Sequence, residues 1–239
     1  LTSTAASHQR TFVVEVMGRH CGYLPLMAAV AGGADYVFTP EDPAGPGWQD
    51  ELAEHLRLGR EAGRRESIVL VAEGAHDRDG NELSTQLIAD TIQERTGEDA
   101  RVTILGHVQR GGTPSAYDRW MSTLLGYAAV QEILASSAED EPVILGVRRN
   151  RITRIPLMKA VHDTRAVKDL IAAGDYAAAQ ASRGSSFSSM VGINQILSTP
   201  PQLTPEPTGE IKRVAILHAG GLAPGMNTAA RVAVRLGIA

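Results

Sequence analysis

Short apolar runs rich in β-branched residues alternate with longer segments of helical periodicity along most of this chain. The runs predict strands at Thr11 to Val16, Tyr36 to Phe38, Ser67 to Ala72, Val102 to Leu105 and Val143 to Val147. Helical patterns follow at Leu24 to Ala31, Trp48 to Gly63, Leu83 to Thr96 and Leu157 to Ala181. This alternation favours βαβ units, and the continuous apolar run at 67–72 is typical of a strand covered on both faces. The sequence therefore predicts an α/β fold of three layers, αβα, around a mostly parallel sheet.

Composition argues against several functional classes. The net charge of -4 leaves no basic excess to neutralise nucleic-acid phosphates, and no apolar run reaches membrane-spanning length. Cys21 is the single cysteine, which excludes an internal disulfide and fits a reducing compartment. We therefore expect a cytoplasmic protein that binds neither nucleic acid nor membrane.

Polar residues follow three of the predicted strands at their carboxyl ends. They are Met17, Gly18 and Arg19 after the first strand, Glu73 after the run at 67–72, and His107 and Arg110 after the run at 102–105. Ligands of parallel α/β sheets bind at the carboxyl ends of strands, so these residues are expected to form one site. The third loop places a His, an Arg and a glycine pair before a helix, which suits an anionic ligand. The alternative is three unrelated polar loops.

The segment after this third loop predicts a long helix. Thr113 and Pro114 are expected to start it, because Pro is favoured at the first helical position and Thr just before it. Apolar residues then recur at helical spacing, and this stripe is expected to pack into the core. The stripe consists of Tyr117, Trp120, Met121, Leu124, Leu125 and Ala128.

Arg10 and Arg101 stand at the opposite ends of their strands, just before the apolar runs. A strand of six residues spans roughly 20 Å, so neither side chain should reach the carboxyl-end cluster of its own subunit. Either both are surface charges, or they serve a site in a neighbouring molecule.

The segment from Thr199 to the end of the sequence has a different composition from the rest. The stretch from Thr199 to Glu210 is rich in Pro and polar residues and predicts an extended linker. Beyond it, the sequence predicts a strand at Val214 to Leu217, a Gly-rich turn at His218 to Asn227, and a helix to Ala239. Strand, Gly-rich turn and helix in this order can hold a phosphate by backbone amides and the helix dipole, although a Gly-rich turn alone is a weak signal.

Three segments carry a family resemblance. LGHVQRGGTPSAYDR, at 105–119, closely resembles the sugar-phosphate loop of the 6-phosphofructokinases. SHQRTFVVEVMGRHCGYLPLMAAVAGGADYVFTPE, at 7–41, and IVLVAEG, at 68–74, resemble two more substrate segments of that family in the same order. The resemblance implies a cytoplasmic, allosteric enzyme of glycolysis that phosphorylates fructose 6-phosphate with ATP and Mg²⁺.

The resemblance also implies roles for the loop residues. Met17, Gly18 and Arg19 would line the fructose 6-phosphate pocket, with Arg19 also offsetting charge that develops during phosphoryl transfer. Glu73 would accept hydrogen bonds from sugar hydroxyls.

The same resemblance implies that residues of two subunits together bind the 6-phosphate of the substrate. His107 and Arg110 would bind it from within the subunit, while Arg10 and Arg101 would reach it from a neighbour. Arg suits this task because its planar fork binds phosphate oxygens bidentately. A homo-oligomer of the tetramer type is therefore implied.

The order of segments resembles an incomplete part of a tandem-duplicated, eukaryotic-type enzyme. Residues 1–108 would be the substrate lobe of the first copy, 109–197 its closing part, 198–211 a linker and 212–239 the start of the second copy. The second-copy loop would contain Gly220, Gly221, Gly225 and Asn227. Leu222 departs from the Asp common in that loop, so we expect an effector site there.

The family's catalytic aspartate motif, Thr-x-Asp-x-Asp, does not occur in this sequence, nor does its Mg²⁺-binding Gly-Gly-Asp segment. ATP and Mg²⁺ would therefore be bound mainly by residues outside this chain, and the chain alone is expected to be inactive. Two rival functions stay open: a pyrophosphate-dependent phosphofructokinase, and a non-catalytic module that binds sugar phosphates as effectors. A dinucleotide-binding oxidoreductase is disfavoured, since no G-x-G-x-x-G follows the first strand.

Overall fold

The computed structural model of the protein describes residues 2–148, 150–200, 213–221 and 223–238. Its strands are β1 (Thr11–Val16), β2 (Tyr36–Phe38), β3 (Ser67–Ala72), β4 (Ala100–Ile104), β5 (Val143–Arg148) and β6 (Arg151–Pro156). Its helices are α1 (Thr2–His8), α2 (Tyr23–Gly32), α3 (Trp48–Glu61), α4 (Thr85–Thr96), α5 (Ala116–Ala135), α6 (Leu157–Ala172), α7 (Tyr176–Ser182), α8 (Ser185–Ser198) and α9 (Met226–Ile238), with a 3-10 helix at Gly106–Arg110. The chain divides into two compact units. We call residues 1–106 with 183–239 the sheet unit, and residues 107–182 the hairpin unit.

The sheet unit is built on four parallel strands in the order β2-β3-β1-β4. Alternate residues of β1 face opposite sides of the sheet: Val13 packs into an apolar cluster with Leu52 of α3 and Ile88 of α4. Val14 packs into a second cluster with Ala29 of α2. Helices therefore cover both faces, which confirms the predicted αβα layers and explains why β3 is apolar almost throughout.

The ends of the helices around the sheet follow local chemistry. Helix α4 begins at Thr85, two residues later than expected, because the Ser84 side chain accepts a hydrogen bond from the Leu87 amide at 3.1 Å. It ends at Thr96, and the left-handed backbone of the following Gly97 (φ 74°) closes the last turn. Helix α8 packs against α2, and Phe187 stacks on Tyr23 with ring centroids 6.4 Å apart.

Two expectations for the hairpin unit are wrong. Helix α5 begins at Ala116 rather than at Pro114, because Ser115 forms a capping box with Asp118. The apolar stripe of α5 is not core: no residue of this helix is buried, and Tyr117 is 63% exposed. Helical spacing shows which residues share a face, but it does not provide a second element to cover that face.

β6 is a strand that the sequence analysis did not predict. It pairs antiparallel with β5 over its full length, from Val143 opposite Pro156 to Arg148 opposite Arg151. Its sequence, RITRIP, does not alternate between apolar and polar residues, so it lacks the pattern by which a half-solvated strand is predicted.

The predicted strand at 214–217 is absent from the structure. These residues have no regular structure, and Val214 and Leu217 are 85% and 90% exposed. A short apolar run becomes a strand only when it pairs, and none of the described strands pairs with it. The helix after the Gly-rich turn is present as α9. Residues 201–212, which include most of the linker predicted at 198–211, and Leu222 lie outside the described residues. Within the described part of the chain, no helix is both long and apolar enough to cross a membrane.

Candidate functional site

The carboxyl ends of β1 and β3 meet as predicted, because these two strands are neighbours in the sheet. The Glu73 carboxylate, just after β3, reaches the loop after β1. One of its oxygens, Oε2, accepts hydrogen bonds from the amides of Gly18 at 3.0 Å and Arg19 at 2.8 Å. These bonds, with the Gly18 amide foremost, hold the pKa of Glu73 below its usual range. Glu73 is therefore an ionised carboxylate that fixes the start of this loop.

The loop at 17–22, which we call the β1 loop, has a constrained backbone. Arg19 adopts a left-handed conformation (φ 53°), which costs a residue with a Cβ about 1–2 kcal/mol. Gly18 permits a close approach, because a Cβ there would lie 2.7 Å from the Cys21 carbonyl oxygen. Gly74 needs its positive φ of 77°, and a Cβ there would lie 2.9 Å from the Arg19 carbonyl oxygen. The surrounding contacts thus hold the Arg19 backbone in a geometry that it would not adopt alone.

Two residues that the sequence analysis missed contact the other end of the β1 loop. Glu41, after β2, accepts a hydrogen bond from the Gly22 amide at 2.9 Å. Arg183 donates to the His20 carbonyl oxygen at 2.8 Å and to Glu41 at 2.7 Å. Glu41 could have been suspected as one more polar residue at a strand's carboxyl end, but Arg183 has no such signal.

The third predicted loop continues from β4. Leu105 extends the β4 ladder by donating from its amide to the Glu15 carbonyl oxygen at 3.2 Å. His107 and Arg110 then lie in the 3-10 helix, belong to the hairpin unit and are exposed. Their predicted role in binding a phosphate stays a prediction.

Arg10 and Arg101 lie at the amino edge of the sheet, at the opposite ends of β1 and β4 from the β1 loop. Arg10 Nε lies 3.2 Å from Asp99 Oδ2, and Arg101 Nη2 lies 3.0 Å from the same oxygen. Two guanidinium groups therefore converge on one anionic atom, and all three side chains are partly open to solvent. Both guanidinium groups are therefore paired with a carboxylate of the same chain.

A second ion pair supports this edge. Arg60 binds Glu98 through both carboxylate oxygens at 2.8 Å, and the Thr11 hydroxyl donates to Glu98 at 2.8 Å. The hydrogen bond from Arg60 is the main reason why the pKa of Glu98 is lowered. Because Glu98 precedes Asp99 in the chain, this half-buried pair fixes the backbone that carries Asp99.

The Gly-rich turn near the end of the chain lies directly before α9. Gly220 and Gly225 have positive φ angles of 92° and 94°, and the Ala229 amide donates to the Gly225 carbonyl oxygen at 2.9 Å. Gly221 and Asn227 are exposed. The turn thus precedes a helix N-terminus, as the sequence analysis expected. Among the described residues, no cluster of three or more His, Cys, Asp or Glu side chains could hold a metal ion.

Known proteins resemble this chain over nearly its whole length. The family profile described as "Phosphofructokinase" matches residues 1–133. The ATP-dependent 6-phosphofructokinase of Aspergillus fumigatus is 45% identical over 234 residues, which cover 97% of this chain and 29% of that relative. The liver-type ATP-dependent 6-phosphofructokinase of Homo sapiens is 44% identical over 238 residues, covering 100% and 30%.

Solved structures agree with the sequence comparison. The phosphofructokinase of Saccharomyces cerevisiae superposes with a TM-score of 0.78 at 44% identity, covering 82% of this chain and 26% of that one. The T-state enzyme of Pichia pastoris gives a TM-score of 0.73 at 40% identity, covering 79% and 20%. The chain thus spans about 30% of the length of the curated relatives it matches. It belongs to the phosphofructokinase family.

Proposed function

We propose that this chain is the sugar-phosphate-binding part of an ATP-dependent 6-phosphofructokinase. The enzyme would transfer the γ-phosphoryl group of ATP to the 1-hydroxyl of fructose 6-phosphate in the cytoplasm. The observation that carries the proposal is the contact between the Glu73 carboxylate and the amides of Gly18 and Arg19. It brings together two segments that each resemble a substrate segment of the family. The relatives at 44–45% identity are named as ATP-dependent enzymes, which favours ATP over pyrophosphate as the donor.

In this proposal the β1 loop and Glu73 form the sugar pocket. Met17, Gly18 and Arg19 line it, and the ionised Glu73 carboxylate accepts hydrogen bonds from sugar hydroxyls. Arg19 offsets negative charge on the transferred phosphoryl group. The constrained backbone of Arg19 supports this role, since strain of that kind is found where a side chain must be held in one direction.

The 6-phosphate would be shared between subunits. His107 and Arg110 bind it from one subunit, while Arg10 and Arg101 of the neighbour complete the site. The convergence of Arg10 and Arg101 on Asp99 supports an anion-binding role for this pair. A homo-oligomer follows, because neither subunit alone would complete the phosphate site, and the family resemblance implies an oligomer of the tetramer type.

ATP and Mg²⁺ would be held mainly by residues outside this chain. The described residues include no group of three or more His, Cys, Asp or Glu side chains that could hold Mg²⁺ by themselves. Residues 1–108 and 109–197 would belong to the first catalytic copy and 198–211 to the linker. The turn at Gly220, Gly221, Gly225 and Asn227, in residues 212–239, would bind an effector in the second copy.

The test uses the full-length gene product, assayed for fructose 1,6-bisphosphate formation with ATP or pyrophosphate as donor. We expect turnover with ATP and fructose 6-phosphate, and none with pyrophosphate. Turnover with pyrophosphate alone would show that pyrophosphate, and not ATP, is the phosphoryl donor. Binding of sugar phosphate without turnover with either donor would instead identify a non-catalytic module.

A further inference from the structure

Glu41 is a charged residue at a position with no access to solvent. Its side chain is 0% exposed, and its Oε1 accepts a hydrogen bond from Arg183 Nε at 2.7 Å. Both of its oxygens also accept from the Gly22 amide, at 3.2 and 2.9 Å. Burial of a carboxylate costs free energy unless a cation and hydrogen-bond donors replace the water that it loses. Here those groups come from Arg183 and from the backbone of the β1 loop.

Arg183 connects the same loop to a distant part of the sheet unit. It lies between α7 and α8, and its side chain is only 17% exposed. Besides its bond to Glu41, it donates from Nη2 to the carbonyl oxygen of His20 at 2.8 Å, 163 residues away along the chain. One guanidinium group therefore holds both the backbone of the β1 loop and the carboxylate that binds this loop.

The fit around Gly22 leaves no room for adjustment. A Cβ at this position would lie 2.6 Å from Glu41 Oε2 and 2.6 Å from Thr39 Cβ. The loop is also closed on itself by the Cys21 amide, which donates to the Gly18 carbonyl oxygen at 3.1 Å. Glu73 fixes the loop at its start, and Glu41 with Arg183 fixes it at its end. The strained backbone of Arg19 lies between these two fixed points.

We infer that Glu41 and Arg183 are positioning residues for the sugar-phosphate substrate. They set the conformation of the β1 loop through their contacts with its backbone and do not touch the ligand. The inference rests on the proposed function, because it takes the β1 loop as part of the fructose 6-phosphate pocket. A buried ion pair that served stability alone could be replaced by apolar side chains at little cost. This pair instead directs its charges at backbone groups of a single loop, Gly22 N–H and His20 C=O.

The test is the Arg183→Met variant of the full-length protein, compared with wild type in steady-state kinetics. We expect the KM for fructose 6-phosphate to rise roughly 10-fold to 100-fold, because a small displacement of a binding loop has effects of that order. The KM for ATP should change less than about twofold, since the residues proposed to hold ATP lie elsewhere. Glu41→Gln should have a smaller effect on the same parameter, because its amide oxygen can still accept from Gly22.

Arg64→Met is the matched control. Arg64 also forms an ion pair that is largely shielded from solvent, with Asp35, but Asp35 lies just before β2, at the opposite end of this strand from Glu41. Both methionine variants should lower the melting temperature, and only Arg183→Met should raise the KM for fructose 6-phosphate. If Arg183→Met does not fold, Arg183→Lys replaces it. Its KM for fructose 6-phosphate should lie between the wild-type value and the roughly 10-fold to 100-fold increase expected for Arg183→Met.

The outcomes separate the two proposals. Wild-type turnover of fructose 6-phosphate with an unchanged KM in the folded Arg183 and Glu41 variants would overturn this inference and leave the proposed function standing. Equal KM changes in the Arg64 and Arg183 variants would also overturn it, since the effect would then be general destabilisation. A wild-type protein that neither binds nor phosphorylates fructose 6-phosphate would remove the proposed function and this inference together.

Discussion

Replacing Glu73 by Gln tests the charge that holds the start of the β1 loop. The substitution keeps an oxygen acceptor for the Gly18 and Arg19 amides but removes its negative charge. Hydrogen bonds to a charged partner are stronger than neutral ones by about 1 kcal/mol, and partial solvent access reduces this to about 0.5 kcal/mol per bond. With two such bonds, at 3.0 and 2.8 Å, the conformation of the β1 loop loses about 1 kcal/mol of stabilising free energy. That corresponds to about a fivefold rise in the KM for fructose 6-phosphate.

Glu73→Ala provides the second point of this series. It removes the acceptor as well as the charge, so the loss should reach about 2 kcal/mol, or about a 30-fold rise in the same KM. The assay is steady-state formation of fructose 1,6-bisphosphate by the full-length protein, with each substrate varied in turn. Glu94→Gln, which removes a carboxylate from the exposed surface of α4, is the control and should match wild type.

The KM for ATP in the Glu73 variants tests whether Glu73 acts on the fructose 6-phosphate site alone. An equal rise in the KM for both substrates would point to a folding defect and contradict a specific role of Glu73. A wild-type KM for fructose 6-phosphate in Glu73→Ala would refute the role entirely, because the loop would then keep its conformation without the carboxylate.

Three more outcomes are expected. Mixing full-length Arg101→Ala subunits with Arg110→Ala subunits should restore activity through hybrid sites, and no recovery in verified mixed oligomers would exclude a shared phosphate site. Gly74→Ala should lower stability by about 2 kcal/mol in a thermal melt, while Gly80→Ala, with a similar positive φ but open space around it, should lose only about 1 kcal/mol. Glu98→Gln should destabilise the fold at neutral pH; because the native pKa of Glu98 is lowered, that difference should disappear as the pH falls through and below its ordinary value of 4.5. A difference that persists in acid would contradict the ion-pair explanation.

The sequence predicted all four strands of the parallel sheet, although β4 begins two residues earlier and ends one residue earlier than the predicted run at 102–105. β1 and β3 have the predicted bounds, since β-branched residues that pack on both faces leave an unmistakable apolar run. Two predictions were wrong for the same reason: the strand at 214–217 and the burial of the apolar stripe of α5. In each, an apolar pattern predicts a surface that needs a partner, and the partner is decided by the tertiary structure rather than by the pattern.

The sequence also predicted only some of the contacts in the candidate site. Glu73 and the β1 loop could be brought together because the carboxyl ends of parallel strands share one edge. The contact of Arg183 with Glu41 could not, because it joins residues 142 positions apart and no periodicity relates them. The Asp99 carboxylate between Arg10 and Arg101 was also missed, although it stands two residues before Arg101, because sequence spacing alone does not show that both guanidinium groups turn toward it.

Asp99 gives the amino edge of the sheet an anion of its own. If Arg10 and Arg101 bind the phosphate as proposed, the phosphate would have to displace the Asp99 carboxylate from both guanidinium groups. This displacement would reduce the free energy gained on binding, and the carboxylate would compete for the arginines when the phosphate leaves. We therefore expect this edge to favour rapid exchange of a phosphorylated ligand over long retention, and to keep the two like charges paired with Asp99 in an unassembled subunit.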